Sequence, residues 1–440
     1  MKKFRLLRYV LPSVISMVLV GTYTNIDGLF IGNRAGDDGL AAINVAWPIV
    51  ALITSLGTAI GVGAAVEINK NRGEGNARLA ARQKDTALFL LLAAGIAATG
   101  LCLFLYTPLL RLLGATGTVL TYAGDYAYLI SLGALFQVVG AGMVVLLRSD
   151  GSTFLSAAYT AVGLALHVVL DVALVGRFAL SGVAAATVLS QAAVAGLGLF
   201  SFFRHRKADR EETGSDARHP LCPAEEARFP GVRNILRNAL PPLGLNFAPS
   251  MTLVFTNWFA LRLGGVAAVG AYAVMSYVLY TYDYVFQGVC DGTQPLLSYD
   301  GGAGNTASVK KTVRASIWLL AGLSAVFMAL TPAAIAFLPG VFAVSPAAER
   351  MMQTGFLWYA LAYPLKAAVK FSCSYCYSTG RERAANGIAY ADPLLFTPLF
   401  LLLSMKTGIE GVWAALPLAQ AATCLLALAL TRKGRRRAAS

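Results

Sequence analysis

Apolar runs of about 20 residues, each long enough to cross a bilayer, recur from one end of this 440-residue chain to the other. Charged residues make up 13% of the sequence, about half the share found in soluble domains, and mean hydropathy is +0.63. These features predict an all-α polytopic membrane protein. Twelve transmembrane helices are expected, over residues 9–32, 44–67, 86–106, 122–147, 154–175, 182–203, 236–261, 268–297, 315–338, 353–377, 386–405 and 411–430.

The basic residues give those helices an orientation. If the N-terminus is cytoplasmic, 28 of the 36 lysines and arginines fall in inside segments, six in outside segments, and Lys366 and Lys370 within a span. That asymmetry follows the positive-inside rule with both termini in the cytoplasm. It also accounts for the net charge of +14, so the basic balance does not call for a nucleic-acid partner. The tail "TRKGRRRAAS" is a stop signal facing anionic lipid. The N-terminal run has polar residues and no small-residue cleavage site, and is expected to be a retained span rather than a signal peptide. "CSYC" (Cys373, Cys376) lies within a span with no partner pair or nearby histidine, and reads as packing rather than zinc chemistry.

The chain is written twice. "RGEGN" after span 2 aligns with "GGAGN" after span 8, so that Gly73 falls on Gly302 and Asn76 on Asn305. The same constant offset pairs Leu11-Pro12 with Leu240-Pro241, Gly63 with Gly292, Gly151 with Gly380 and Gln191 with Gln420. Two six-helix lobes, 1–203 and 234–440, are expected around a charged cytoplasmic linker, 204–233. With an even number of spans in each, the lobes are related by a pseudo-two-fold axis along the membrane normal, a plan suited to alternating access. "GEGN" lacks the phosphate-loop pattern and is assigned to a glycine turn.

Polar residues inside spans are the candidate functional groups. "TYTNIDGLFIG" carries Asn25 and Asp27 through the first apolar run, where a central aspartate costs roughly 2.5–3.5 kcal/mol. At 1.5 Å per residue, Asp27, Asp171 and Thr187 lie about 6–7 Å below the outer ends of spans 1, 5 and 6. His167 stands one turn from Asp171 on the same helix face. Two carboxylates in a partly dry cavity repel, so the pair can take up one proton or one Na⁺ and release it when water enters. Asp27, Asp171, His167, Thr187 and Asn25 are therefore the expected cation-coupling set, with H⁺ or Na⁺ as the coupling ion and no cofactor. The repeat sets Asp27, His167 and Asp171 against Thr256, Phe396 and Phe400 in the second half, so one lobe alone holds this site. The second half has its own charges, Asp283, Asp291, Lys366 and Lys370, read first as a buried structural ion pair and, as the alternative, as cavity or gating groups. Depth pairs Asp283 with Lys366, whereas Asp291 and Lys370 differ by about 6 Å.

"LP…NIDGLFIG…GDDGLAA", "RGEGN", "LDVALVGRFALSGVAAAT" and "QPLLSYDGGAGN" together resemble the MATE family, the multidrug and toxic compound extrusion transporters. The resemblance implies a V-shaped pair of six-helix lobes exporting small amphipathic organic compounds by H⁺ or Na⁺ antiport, as a monomer in a bacterial plasma membrane. It places Asp27, Asp171 and Thr187 on the acids and threonine of an N-lobe cation site. His167 replaces that branch's asparagine, which favours protons over Na⁺. The alternatives are a lipid or lipid-linked oligosaccharide flippase of the same superfamily and, more remotely, a membrane enzyme. For the latter no nucleophile accompanies His167 and Asp171.

Overall fold

The computed structural model describes residues 3–214, 229–342 and 344–437, all helical apart from short turns. Ten helices follow in order: α1 Lys3–Gly73, α2 Ala77–Leu112, α3 Gly117–Leu132, α4 Ala134–Ser149, α5 Thr153–Gly214, α6 Val232–Gly302, α7 Thr306–Val341, α8 Pro346–Ser378, α9 Glu382–Thr407 and α10 Ile409–Arg437. The repeat is visible in their limits. The ends of α1, α2 and α4 at Gly73, Leu112 and Ser149 recur at their repeat mates Gly302, Val341 and Ser378, the ends of α6, α7 and α8. Proline inside α1 (Pro12, Pro48) and α6 (Pro241, Pro242, Pro249, Pro295) is tolerated because neighbouring helices re-satisfy the freed backbone groups.

Among the described residues, seven helices are long and apolar enough to cross a membrane. The number is eight if α3 and α4, bent by 58° where they meet, form one span. This is fewer than the twelve expected. Two segments read as spans, within α6 and α8, carry Asp283, Asp291, Lys366 and Lys370, and Thr153–Arg206 counts as one run although it breaks at Ala179. The outer helices α2 and α7 present Phe104, Leu112, Trp318 and Phe337 at 71–82% exposure. So much bare apolar surface is at home only against lipid.

The two long helices, α1 and α6, hold the halves together. Val10 of α1 packs into the second half's core, and Ile235 of α6 into the first half's. The crossing is backbone on backbone. A Cβ at Gly63 would collide with the Ile235 carbonyl, and one at its repeat mate Gly292 would meet the Val10 Cα at 2.6 Å. Gly73 and Gly302, also repeat mates, meet the carbonyls of Tyr299 and Lys70 in the same way. These contacts close the end of the molecule that carries the turns at 74–76 and 303–305.

Both halves break a long helix at the same repeat position. Gly408 separates α9 from α10 with φ 64° and ψ −134°, and Ala179 breaks α5 with φ 47° and ψ −123°. That region is open to glycine and strained for alanine by about 1–3 kcal/mol. Ala179→Gly is therefore expected to raise the thermal unfolding midpoint in detergent, and Gly408→Ala to lower it by a comparable amount. A fall for Ala179→Gly or a rise for Gly408→Ala in a fluorescence melt would contradict the strained-break assignment.

Candidate functional site

Asp27 of α1 and His167 and Asp171 of α5 converge as the sequence spacing predicts. Position i, i+4 puts both α5 side chains on one helical face, and α1 packs against that face. The imidazole Nε2 lies 2.7 Å from Asp27 Oδ1 and 3.1 Å from Asp171 Oδ2, bridging the two acids. His167 and Asp171 are fully buried and Asp27 nearly so. The imidazole hydrogen-bonds to Asp27 and is only in ion-pair contact with Asp171, whose two carboxylate oxygens, like His167 Nδ1, have no hydrogen-bond partner among the described residues. The three ligand atoms lie within 4.8 Å of one another. One ring nitrogen facing two carboxylates can donate a single N–H, so the cluster carries net negative charge unless a further proton or cation joins it. A nitrogen at the centre of so small a donor set suits a proton better than a hard cation, which prefers an all-oxygen shell.

The cluster meets a cavity of about 240 Å³ between the halves, lined by Tyr23, Asp27, Trp47, Tyr126 and Thr187 from the first half. Asp27 is the member of the trio in the cavity wall, with His167 and then Asp171 behind it. The Tyr23 ring covers His167 at 4.9 Å between centroids. Thr187 reaches the same cavity, but its hydroxyl donates to the Val183 carbonyl of its own helix at 3.0 Å. Asn25 lies in α1, its side chain outside the described residues.

A second ladder of charge lies on the other side of the cavity. Asp283, Gln287 and Asp291 follow one another at i, i+4, i+8 along α6, while Lys366 and Lys370 are one turn apart on α8. Asp283 pairs with both lysines, accepting a hydrogen bond from Lys370 Nζ at 2.7 Å through Oδ2 and lying 3.0 Å from Lys366 Nζ through Oδ1. Lys370 also reaches Gln287 Oε1 at 3.2 Å, and Gln287 Nε2 donates to Asp291 Oδ1 at 2.8 Å. The Asp283–Lys366 pair expected from depth is present. Lys370 joins it rather than Asp291, since a lysine side chain spans about one helical turn and reaches past the depth difference.

Asp291 pairs across the molecule with Arg148 Nη1 at 2.5 Å. The basic-residue pattern puts Arg148 among the cytoplasmic loop charges, but it is 2% exposed in the last turn of α4. Its position at a span end carries no signal of a partner in the other half. Asp392 of α9 also escapes the sequence reading; its carboxylate accepts from Gln420 Nε2 at 2.6 Å, beside Lys366 in a small side cavity. Its place inside an apolar run is the available signal. Cys373 and Cys376 are buried and unpaired, and Cys222 lies outside the described residues.

A family model described as MatE matches residues 12–173 and 242–405, one segment in each half. The multidrug export protein MepA of Staphylococcus aureus is 23% identical over 431 residues, covering 96% of this chain and 92% of its own. MepA of Staphylococcus saprophyticus is 22% identical with the same coverage. Among solved structures, a MOP-superfamily transporter from Pyrococcus furiosus superposes with a TM-score of 0.85 at 20% identity over 98% of this chain and 95% of that one. The MATE multidrug transporter DinF-BH gives 0.84 at 24% identity and the same coverage. At these identities the likeness to the solved structures is one of fold. Matched by one family model across both halves, this chain belongs to the MatE family.

Proposed function

We propose that this chain is a multidrug-type secondary exporter of the plasma membrane, driven by proton antiport through Asp27, His167 and Asp171. The observation that carries it is the imidazole held between two buried carboxylates, with one of them, Asp27, in the wall of the interlobe cavity. Loading the cluster with a proton lowers its negative charge by one, and a substrate entering beside Asp27 favours release of that proton. Two ligands that exclude one another in this way exchange across the membrane. The relatives named multidrug export proteins support small amphipathic organic compounds as the cargo. Membership of a transporter family also answers the enzyme alternative.

The finer organisation belongs to the same proposal. Twelve spans form two six-helix lobes, 1–203 and 234–440, about the linker 204–233, with both termini cytoplasmic. The end closed by Gly63, Gly73, Gly292 and Gly302 is then the cytoplasmic one, and the chain is in its outward-facing state. The flippase alternative expects a strongly cationic cavity. Here the cavity wall carries Asp27, Asp283 and Asp291 beside Lys370 and Arg148, which favours an exporter.

Asp27→Asn is expected to insert and fold but to lose at least about tenfold in gradient-driven efflux from proteoliposomes, as intramembrane proton-relay carboxylates do. Wild-type rates in that variant would remove Asp27 from coupling. In the same vesicles, efflux should follow an imposed pH gradient with Na⁺ absent from both sides. An absolute Na⁺ requirement would overturn the choice of ion.

A further inference from the structure

We propose that the Arg148–Asp291 ion pair is the latch that holds the two halves closed beneath the interlobe cavity, and that parting this pair opens that end of the molecule. The assignment rests on the alternating-access exporter reading above and names the contact on which its closed state depends.

Arg148 stands in the last turn of α4 in the first half, and Asp291 lies within α6 of the second. Their contact at 2.5 Å is buried on both sides. Both residues line the cavity. The next residue along α6 is Gly292, where a Cβ would meet the Val10 Cα of α1 at 2.6 Å. The ion pair therefore sits between the cavity and the glycine crossings that close this end. Two further polar ties between the halves here are more exposed or set off from the cavity. Arg5 reaches Asp300 at 3.6 Å but is half exposed. Asn238 donates a hydrogen bond to Glu67 at 3.1 Å, and neither lines the cavity.

The Arg148 side chain is bound to the opposite half and not to its own. Nη1 is committed to Asp291, while Nε and Nη2 are buried with no hydrogen-bond partner among the described residues. Keeping those donors dry is costly, and water entering as the halves part would satisfy them. The pair thus holds both sides of a reversible closure. A charge-assisted bond favours contact, and stranded donors favour release. Asp291 stays supported after release, because Gln287 Nε2 donates to its Oδ1 at 2.8 Å and Gln287 Oε1 accepts from Lys370 at 3.2 Å. The repeated scaffold itself does not need the pair. The repeat mates of Asp291 and Arg148 are Val62 and Tyr377, which cannot form one.

Spin labels at Ala77→Cys and Thr306→Cys, exposed repeat mates at the starts of α2 and α7, report how far the halves part. The separation is read by pulsed dipolar spectroscopy on the full-length chain with its native cysteines replaced by serine. With Arg148 and Asp291 in place, mainly one short separation is expected. Asp291→Asn removes one charge, and the double variant Arg148→Gln, Asp291→Asn removes both, so that one remains informative if the other does not fold. Each should raise the ratio of long to short separations at least about tenfold. Arg148→Lys keeps a cation facing Asp291 and should stay within about threefold of the starting ratio. An unchanged distribution in either folded charge-removing variant overturns the latch, as does opening of the lysine variant to their extent. Proton-driven ethidium efflux by the same cysteine-replaced chain tests the exporter reading separately. Efflux alongside unmoved separations removes the latch alone, and separations that respond without efflux remove the exporter reading and leave the closure.

Discussion

The functional architecture depends on one imidazole wedged between two carboxylates in a bundle made for lipid. Each acid alone is an expensive guest in a bilayer. Together with His167 they form a compact group in which one proton can be shared. Holding three such side chains in contact requires α1 and α5 to pack closely, and requires Asp27 alone to face the cavity. Of the three, Asp27 alone lines the cavity and can meet whatever enters it.

The scaffold is symmetric and the chemistry is not. Helix limits recur at the repeat offset, and the paired glycines make equivalent crossings between α1 and α6. Yet the positions equivalent to His167 and Asp171 are Phe396 and Phe400, in tilted contact at 5.1 Å with Phe259 edge-on to Phe400. The second half fills with rings the place where the first half keeps its acids. Conversely, Asp283 and Lys366 replace Thr54 and Gln137, whose side chains bond to backbone carbonyls of the first half. The two halves share one scaffold, and each keeps its buried polar groups at different positions of it.

Much of this was legible in the residues. Apolar run length announced an all-helical membrane protein, though seven or eight rather than twelve helices pass as spans among the described residues, and the i, i+4 spacing with a depth estimate brought Asp27, His167 and Asp171 together. What escaped was long-range and fine-grained. A straight-helix depth estimate is no sharper than the reach of a lysine, so Lys370 could be placed near Asp283 or Asp291 alike. Arg148 sits at a span end, where positive charge is ordinary, and only the packing of α4 on α6 turns it inward. The break at Ala179 had no glycine to announce it, although its repeat mate Gly408 did.

Coupling through the buried trio stands or falls on proton release when substrate binds. With the purified protein in weakly buffered detergent solution and a pH indicator, each bound amphiphile should release about one proton from the wild-type cluster. None should be released when Asp27 is replaced by asparagine. Equal release from both proteins would place the exchanging proton elsewhere and contradict the coupling role of Asp27, His167 and Asp171.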